Sequence, residues 1–136
     1  MTKQQKSSGT WHLMLWAAQV VLAASLTWGG TMKLFYPLEK LSAMWPWTGQ
    51  ISTLLLKLTG MIDLLAAIGL IVPALIRIKP KLTPIAASGV VILMVCASIF
   101  HVTRNEASVI GGNVFFAITA AFVAWGRFRK VPVLPK

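Results

Sequence analysis

Acid is what this chain most lacks. Among 136 residues only Glu39, Asp63 and Glu106 are acidic, against 13 Lys and Arg, for a net charge of +10. Cysteine is nearly missing too. Cys96 stands alone, so no disulfide closes within the chain and no zinc ribbon is built. No grouping of His, Cys and carboxylates has metal-ligand spacing, and no CxxC pair offers a thiol relay. There is no GxGxxG following a strand and no phosphate-binding loop. The two histidines, His12 and His101, fall in apolar blocks near opposite faces of the expected membrane, which excludes a bis-histidine haem. Charge of either sign is scarce, 12% of residues against about 25% in an ordinary soluble domain.

Apolar residues fill the space left by charge. The chain is 57% hydrophobic with a mean hydropathy of +0.75. A soluble chain this short has too little interior to hide that much apolar surface. The basic excess on its own would suggest nucleic acid. The cations, however, sit between apolar blocks rather than on a polar domain. A soluble nucleic-acid binder is excluded, and the lipid bilayer becomes the expected partner.

Four apolar blocks, at about 11–36, 51–76, 82–102 and 107–126, each reach the length of about 20 residues that a helix needs to cross a bilayer. Membrane strands would read as alternating segments of about ten residues, which these are not. The expected fold is all-α: an integral membrane bundle of four transmembrane helices. Its membrane domain covers 11–130, with a short tail at 1–10 and another at 131–136. Lys3, Lys6 and Ala23-Ala24-Ser25 imitate a signal peptide. The apolar run continues through Leu26, Trp28 and Phe35, so an uncleaved first helix is expected.

With four spans both termini share one side. That side collects nine cations: Lys3, Lys6, Arg77, Lys79, Lys81, Arg127, Arg129, Lys130 and Lys136. The other side keeps Lys33, Lys40, Lys57 and Arg104. The bias places both termini in the cytoplasm and the chain in the cytoplasmic (inner) membrane, its excess charge facing anionic headgroups. Trp45-Pro46-Trp47 reads as an interfacial anchor. Pro73 is tolerable inside the second helix because neighbouring helices can satisfy the carbonyl it frees. Gly29-Gly30 and Gly111-Gly112 read as helix-packing positions, and Cys96 as a small buried hydrophobe.

Ionisable residues at membrane depth mark sites. Asp63 lies near the middle of the second block, where a charge costs roughly 3 kcal/mol on insertion scales and faces the bundle interior. Gly60, Thr59, Ala66 and Ala67 share its helical face, small enough for close helix approach. Lys33, His101, Arg104, Glu106 and Asn113 all belong to the outer half of the other spans. Together with Asp63 they form the candidate polar site, an outward-facing vestibule floored by Asp63. The plainer alternative is a structural ion-pair network, Asp63 with Lys33 and Glu106 with Arg104. Lys57, six residues before Asp63, points elsewhere and is expected to snorkel. No metal is expected.

Five segments resemble one known family. Gly30-Thr31-Met32-Lys33-Leu34 is similar to the G-x-x-K-L signature that ends the first helix of DoxX-like membrane proteins. The run from Leu58 to Pro73 resembles their second helix, with an acidic residue at the place of Asp63. Leu82-Thr83-Pro84-Ile85-Ala86-Ala87 is similar to the start of their third helix. Phe100-His101-Val102-Thr103-Arg104-Asn105-Glu106 resembles their outer loop, and Trp125-Gly126-Arg127-Phe128 their close. The likeness covers about 17–130. It implies a small four-helix bacterial membrane protein of a family linked to thiosulfate:quinone oxidoreductase subunits and membrane oxidoreductase complexes. On that implication the expected role is an accessory subunit of a membrane redox system, binding quinone or a small oxyanion, with membrane oxidoreductase subunits as partners. Lys33, His101 and Arg104 would supply positive charge, and Asp63 or His101 a proton relay. Two alternatives stand beside it: a small proton-coupled transporter, and a structural or assembly factor without ligand. Homo-oligomerisation and catalysis are both left open by the residues.

Overall fold

The computed structural model describes residues 3–104 and 110–135, with side chains from Gly9 onward. Every regular element among them is helical. In chain order these are α1 (Lys3–Phe35), α2 (Leu38–Met44), a 3-10 turn (Pro46–Gly49), α3 (Thr53–Ile76), α4 (Leu82–Thr103), α5 (Gly111–Trp125) and a π turn (Gly126–Lys130). The chain limits of each follow from local chemistry. Pro37 stops α1, because proline disfavours α-conformation in the residue before it. Ser52 starts α3, its hydroxyl accepting the Leu55 N–H at 3.1 Å. Arg77 and Lys79 adopt positive φ, 58° and 48°, and turn the chain from α3 into α4 within five residues, 77–81.

Three of these helices carry segments long and apolar enough to cross a membrane: Gly9–Phe35, Thr53–Ile76 and Leu82–Thr103. Helix α5 has 15 residues, about 22 Å at 1.5 Å per residue, against a hydrocarbon core of about 30 Å. The π turn carries its course on to Lys130. At the other end of the chain α1 begins at Lys3, inside the tail expected at 1–10. Hydropathy marks where lipid begins. It does not mark where a helix begins, and Lys and Gln are good helix formers.

Helix α1 packs on α3, α3 on α4, α4 on α5, and α5 back on α1. Their shared core is Leu22, Leu26, Ala67, Leu70, Ala87, Val90, Met94, Ala120 and Val123. The outer surface is greasy. Leu65, Ile68, Ile92, Ile99 and Ile118 are all exposed, the belt that lipid would cover. Cys96 is exposed on that belt rather than buried, a correction of the expected position. Gly111 and Gly112 face open space, so they open α5 instead of packing it against a neighbour.

Pro73 shows how the membrane segment handles a broken ladder. It sits buried inside α3 and cannot bond the carbonyl four residues earlier, that of Gly69. The Thr83 hydroxyl of α4 donates to that same carbonyl at 2.9 Å. One residue on, the buried Gln19 of α1 donates to the Leu70 carbonyl at 2.7 Å. Two neighbours thus supply side-chain donors where α3 is interrupted, as membrane helices require.

Candidate functional site

Two glycines bring the candidate residues together. A Cβ on Gly30 would lie 2.8 Å from the Gly60 carbonyl oxygen, and one on Gly60 3.1 Å from that of Gly30. Only residues without side chains permit α1 and α3 to cross this closely. Lys33 follows Gly30 by three positions and Asp63 follows Gly60 by three. Cα–Cβ bonds tilt toward a helix N-terminus, so in two antiparallel helices these side chains lean back across the crossing toward each other. Lys33 Nζ meets Asp63 Oδ2 at 2.9 Å. The pair is deeply placed, with side-chain exposures of 16% for Lys33 and 5% for Asp63. One carboxylate oxygen is left over: Asp63 Oδ1 is buried and has no hydrogen-bond partner.

Aromatic groups extend the pair. Lys33 Nζ lies 5.6 Å from the centre of the Trp47 ring, within cation–π range. Trp47 comes from the 3-10 turn and packs edge-on against His101 at 5.9 Å and Phe100 at 6.3 Å. His101 is buried near the end of α4. Arg104 sits over Phe100 at 5.1 Å. The loop end of the molecule, where α1 joins α3 and α4 joins α5, therefore carries one chain of contacts from Asp63 to Arg104.

Of the six residues singled out from the sequence, Lys33 and Asp63 are in direct contact, and His101 and Arg104 join through Trp47 and Phe100. Asn113 is half-buried in the first turn of α5 and makes no hydrogen bond to the pair among the described residues. Glu106 lies outside the described residues, and with it the expected pairing to Arg104. Lys57 is exposed and donates to the Leu34 carbonyl at 2.9 Å, closing the end of α1 instead of entering the site. Sequence reasoning placed Trp47 at the lipid interface and so missed its part in the site.

A second polar cluster lies at the opposite end, where both termini gather. Arg127, expected among the headgroup-facing cations, is instead 3% exposed. Its Nε donates to Gln19 Oε1 at 2.7 Å, and its Nη1 donates to the Val131 carbonyl at 3.0 Å while lying 3.0 Å from His12 Nδ1. The guanidinium lies 5.7 Å from the Trp16 ring centre. Arg127 Nη2 is buried with no partner. Sequence reasoning did not single out Gln19; its signal is that it is the one amide within an apolar face of Leu15, Leu22 and Leu26 on α1.

Neither cluster has the make-up of a metal site. Among the described residues no three His, Cys, Asp or Glu side chains gather. The sequence model of the DoxX-like family matches residues 17–123, a stretch that holds the whole Lys33–Asp63 site and stops short of Arg127. No curated protein and no solved structure matches the chain significantly.

Proposed function

We propose, from the premise that this chain belongs to the DoxX-like family, that it is a quinone-binding accessory subunit of a membrane redox system. In this reading it crosses a bacterial inner membrane four times with both termini cytoplasmic, α5 and its π turn forming the shortest span. The observation that carries the reading is the unpartnered Asp63 Oδ1 beside the Lys33 ammonium. A buried acceptor without a donor is costly, so the site favours a ligand that brings one. A quinol hydroxyl donates to Oδ1, and a quinone carbonyl accepts from Lys33 or His101. Trp47 and Phe100 supply flat apolar faces for the ring. A bare oxyanion fits less well, because the Asp63 carboxylate already neutralises Lys33. The test is purification in mild detergent, followed by extraction and chromatography of bound quinone. We expect wild type to carry quinone and Asp63→Asn to carry much less with an unchanged helical circular dichroism spectrum. Wild-type protein that neither retains quinone nor shows Trp47-dependent fluorescence quenching by a short-chain quinone would end the proposal.

A structural reading is favoured by a different observation, the glycine crossing itself. Gly30 and Gly60 clamp the ion pair so closely that it could serve only to fix the register of α1 against α3. Under that reading Asp63→Asn changes stability and partner retention but leaves quinone content untouched.

A further inference from the structure

The termini end contains a charge that no carboxylate among the described residues answers. Arg127 is almost fully buried, and each of its hydrogen-bond partners is formally neutral: the Gln19 amide oxygen, the Val131 carbonyl and the His12 ring. Its Nη2 has no partner at all. A buried cation without a counter-charge is among the most expensive arrangements a fold can hold. Among the described residues no carboxylate reaches it: Asp63 is engaged with Lys33, and Glu39 is exposed on α2 at the loop end. An anion from outside the chain would answer it.

Beside Arg127 is a place for it. A cleft of about 490 Å³ is lined by Arg127, Lys79 and Lys81 together with Leu82, Phe128 and Leu134. Lys79 is held by the positive-φ turn between α3 and α4, and Leu134 by its carbonyl, which accepts from Arg77 Nε at 2.9 Å. Three cations facing apolar walls suit an amphiphile better than a free ion, and the cleft lies at the end of helices that lipid surrounds. We propose that this cleft binds the phosphate headgroup of one anionic phospholipid, with Arg127, Lys79 and Lys81 as its ligands. The lipid supplies the counter-charge of Arg127, so it is part of the folded protein and not a passing neighbour. This site is independent of the Lys33–Asp63 site and stands whether or not that one binds quinone.

The experiment is native mass spectrometry of the full chain in neutral detergent, titrated with phosphatidylglycerol, with phosphatidylcholine, and with inorganic phosphate. Wild type should hold one phosphatidylglycerol, with phosphatidylcholine bound at least about tenfold more weakly, because its choline cation already neutralises its phosphate and is repelled by the three cations of the cleft. Arg127→Gln removes a hydrogen-bonded interior side chain and can unfold the protein, so the deciding variant is Lys79→Gln/Lys81→Gln, both exposed residues. It should weaken phosphatidylglycerol by about tenfold or more, the difference one charge-assisted hydrogen bond makes. Arg129→Gln/Lys130→Gln removes equal charge from exposed positions that do not line the cleft, and should stay within about threefold of wild type because salt screens distant charges. Equal binding of the two lipids, an unchanged Lys79→Gln/Lys81→Gln variant, or an equal loss in the control would overturn the proposal. Displacement of the lipid by millimolar inorganic phosphate would also overturn it, by assigning the cleft to a soluble anion.

Discussion

The two ends of the molecule solve the same problem differently. At the loop end a half-buried cation, Lys33, faces a buried anion, Asp63, at 2.9 Å, and the charges cancel inside the protein. At the termini end a buried cation, Arg127, faces a primary amide, a histidine and a backbone carbonyl, and among the described residues the charge does not cancel. The leftover atoms differ accordingly. Asp63 Oδ1 is an acceptor in want of a donor, whereas Arg127 Nη2 is a donor in want of an acceptor. The loop end is thus electrically closed and suited to a neutral ligand with a hydroxyl. The termini end is open and suited to an anion. The same chemistry that makes charge expensive in a membrane selects opposite ligand classes at the two ends.

The sharpest way to break this contrast is to remove one charge from the closed end. Asp63→Leu strands Lys33 and should cost about 3 to 5 kcal/mol, the range for breaking a buried pair, read as loss of stability to denaturing detergent. Lys33→Met/Asp63→Leu, which removes both charges, should recover most of that loss. If the double variant is as unstable as the single, the pair is not what closes the loop end. At the open end the corresponding cut is Gln19→Leu. It takes a charge-assisted partner from Arg127 and a donor from the Leu70 carbonyl, and should cost about 2 to 3 kcal/mol. A cost near zero would mean that Arg127 is satisfied without Gln19.

Gly30→Ala tests how the closed end is held. The added methyl meets the Gly60 carbonyl oxygen at 2.8 Å, so α1 and α3 must separate. We expect a loss of about 1 to 2 kcal/mol from overpacking, measured by the same unfolding assay. Gly112→Ala, where nothing lies within 4 Å, is the control and should not destabilise. Equal effects would remove the glycine crossing from the account.

Much of the loop end was legible in the sequence. A lone carboxylate inside an apolar block had to face inward, and Lys33 at the end of the preceding block was a cation within reach. Small residues around both announced the crossing. Trp47 was not legible, because an aromatic in an outer loop has the same composition signal whether it anchors in lipid or folds back over a site. Arg127 was misplaced for a related reason. A cation after the last apolar block counts toward the charge bias of its side, and only the packing of α1 against the π turn reveals that it is covered. Gly126 makes that covering possible, since a Cβ there would collide with the Leu15 side chain. The fourth block was expected over 107–126; the described helix begins at Gly111, and 107–109 lie outside the described residues.

The smallest effect tests the link between the open end and the Pro73 break. Thr83→Val keeps the shape of the side chain and removes the donor to the Gly69 carbonyl. Interhelical hydrogen bonds of this kind contribute about 0.6 kcal/mol in a membrane protein, so the loss should be near that figure. Its origin can be checked by a second substitution. Pro73→Ala restores a backbone N–H four residues after Gly69, and that N–H can take the carbonyl back into the helix. In the Pro73→Ala background Thr83→Val should therefore cost nothing measurable, and the double-mutant cycle should return a coupling close to the single effect. The full 0.6 kcal/mol persisting in both backgrounds would show that Thr83 acts through packing alone. Among the described residues Gln19 would then be the one side chain that donates to α3 at the interruption, and it is also the one that holds Arg127.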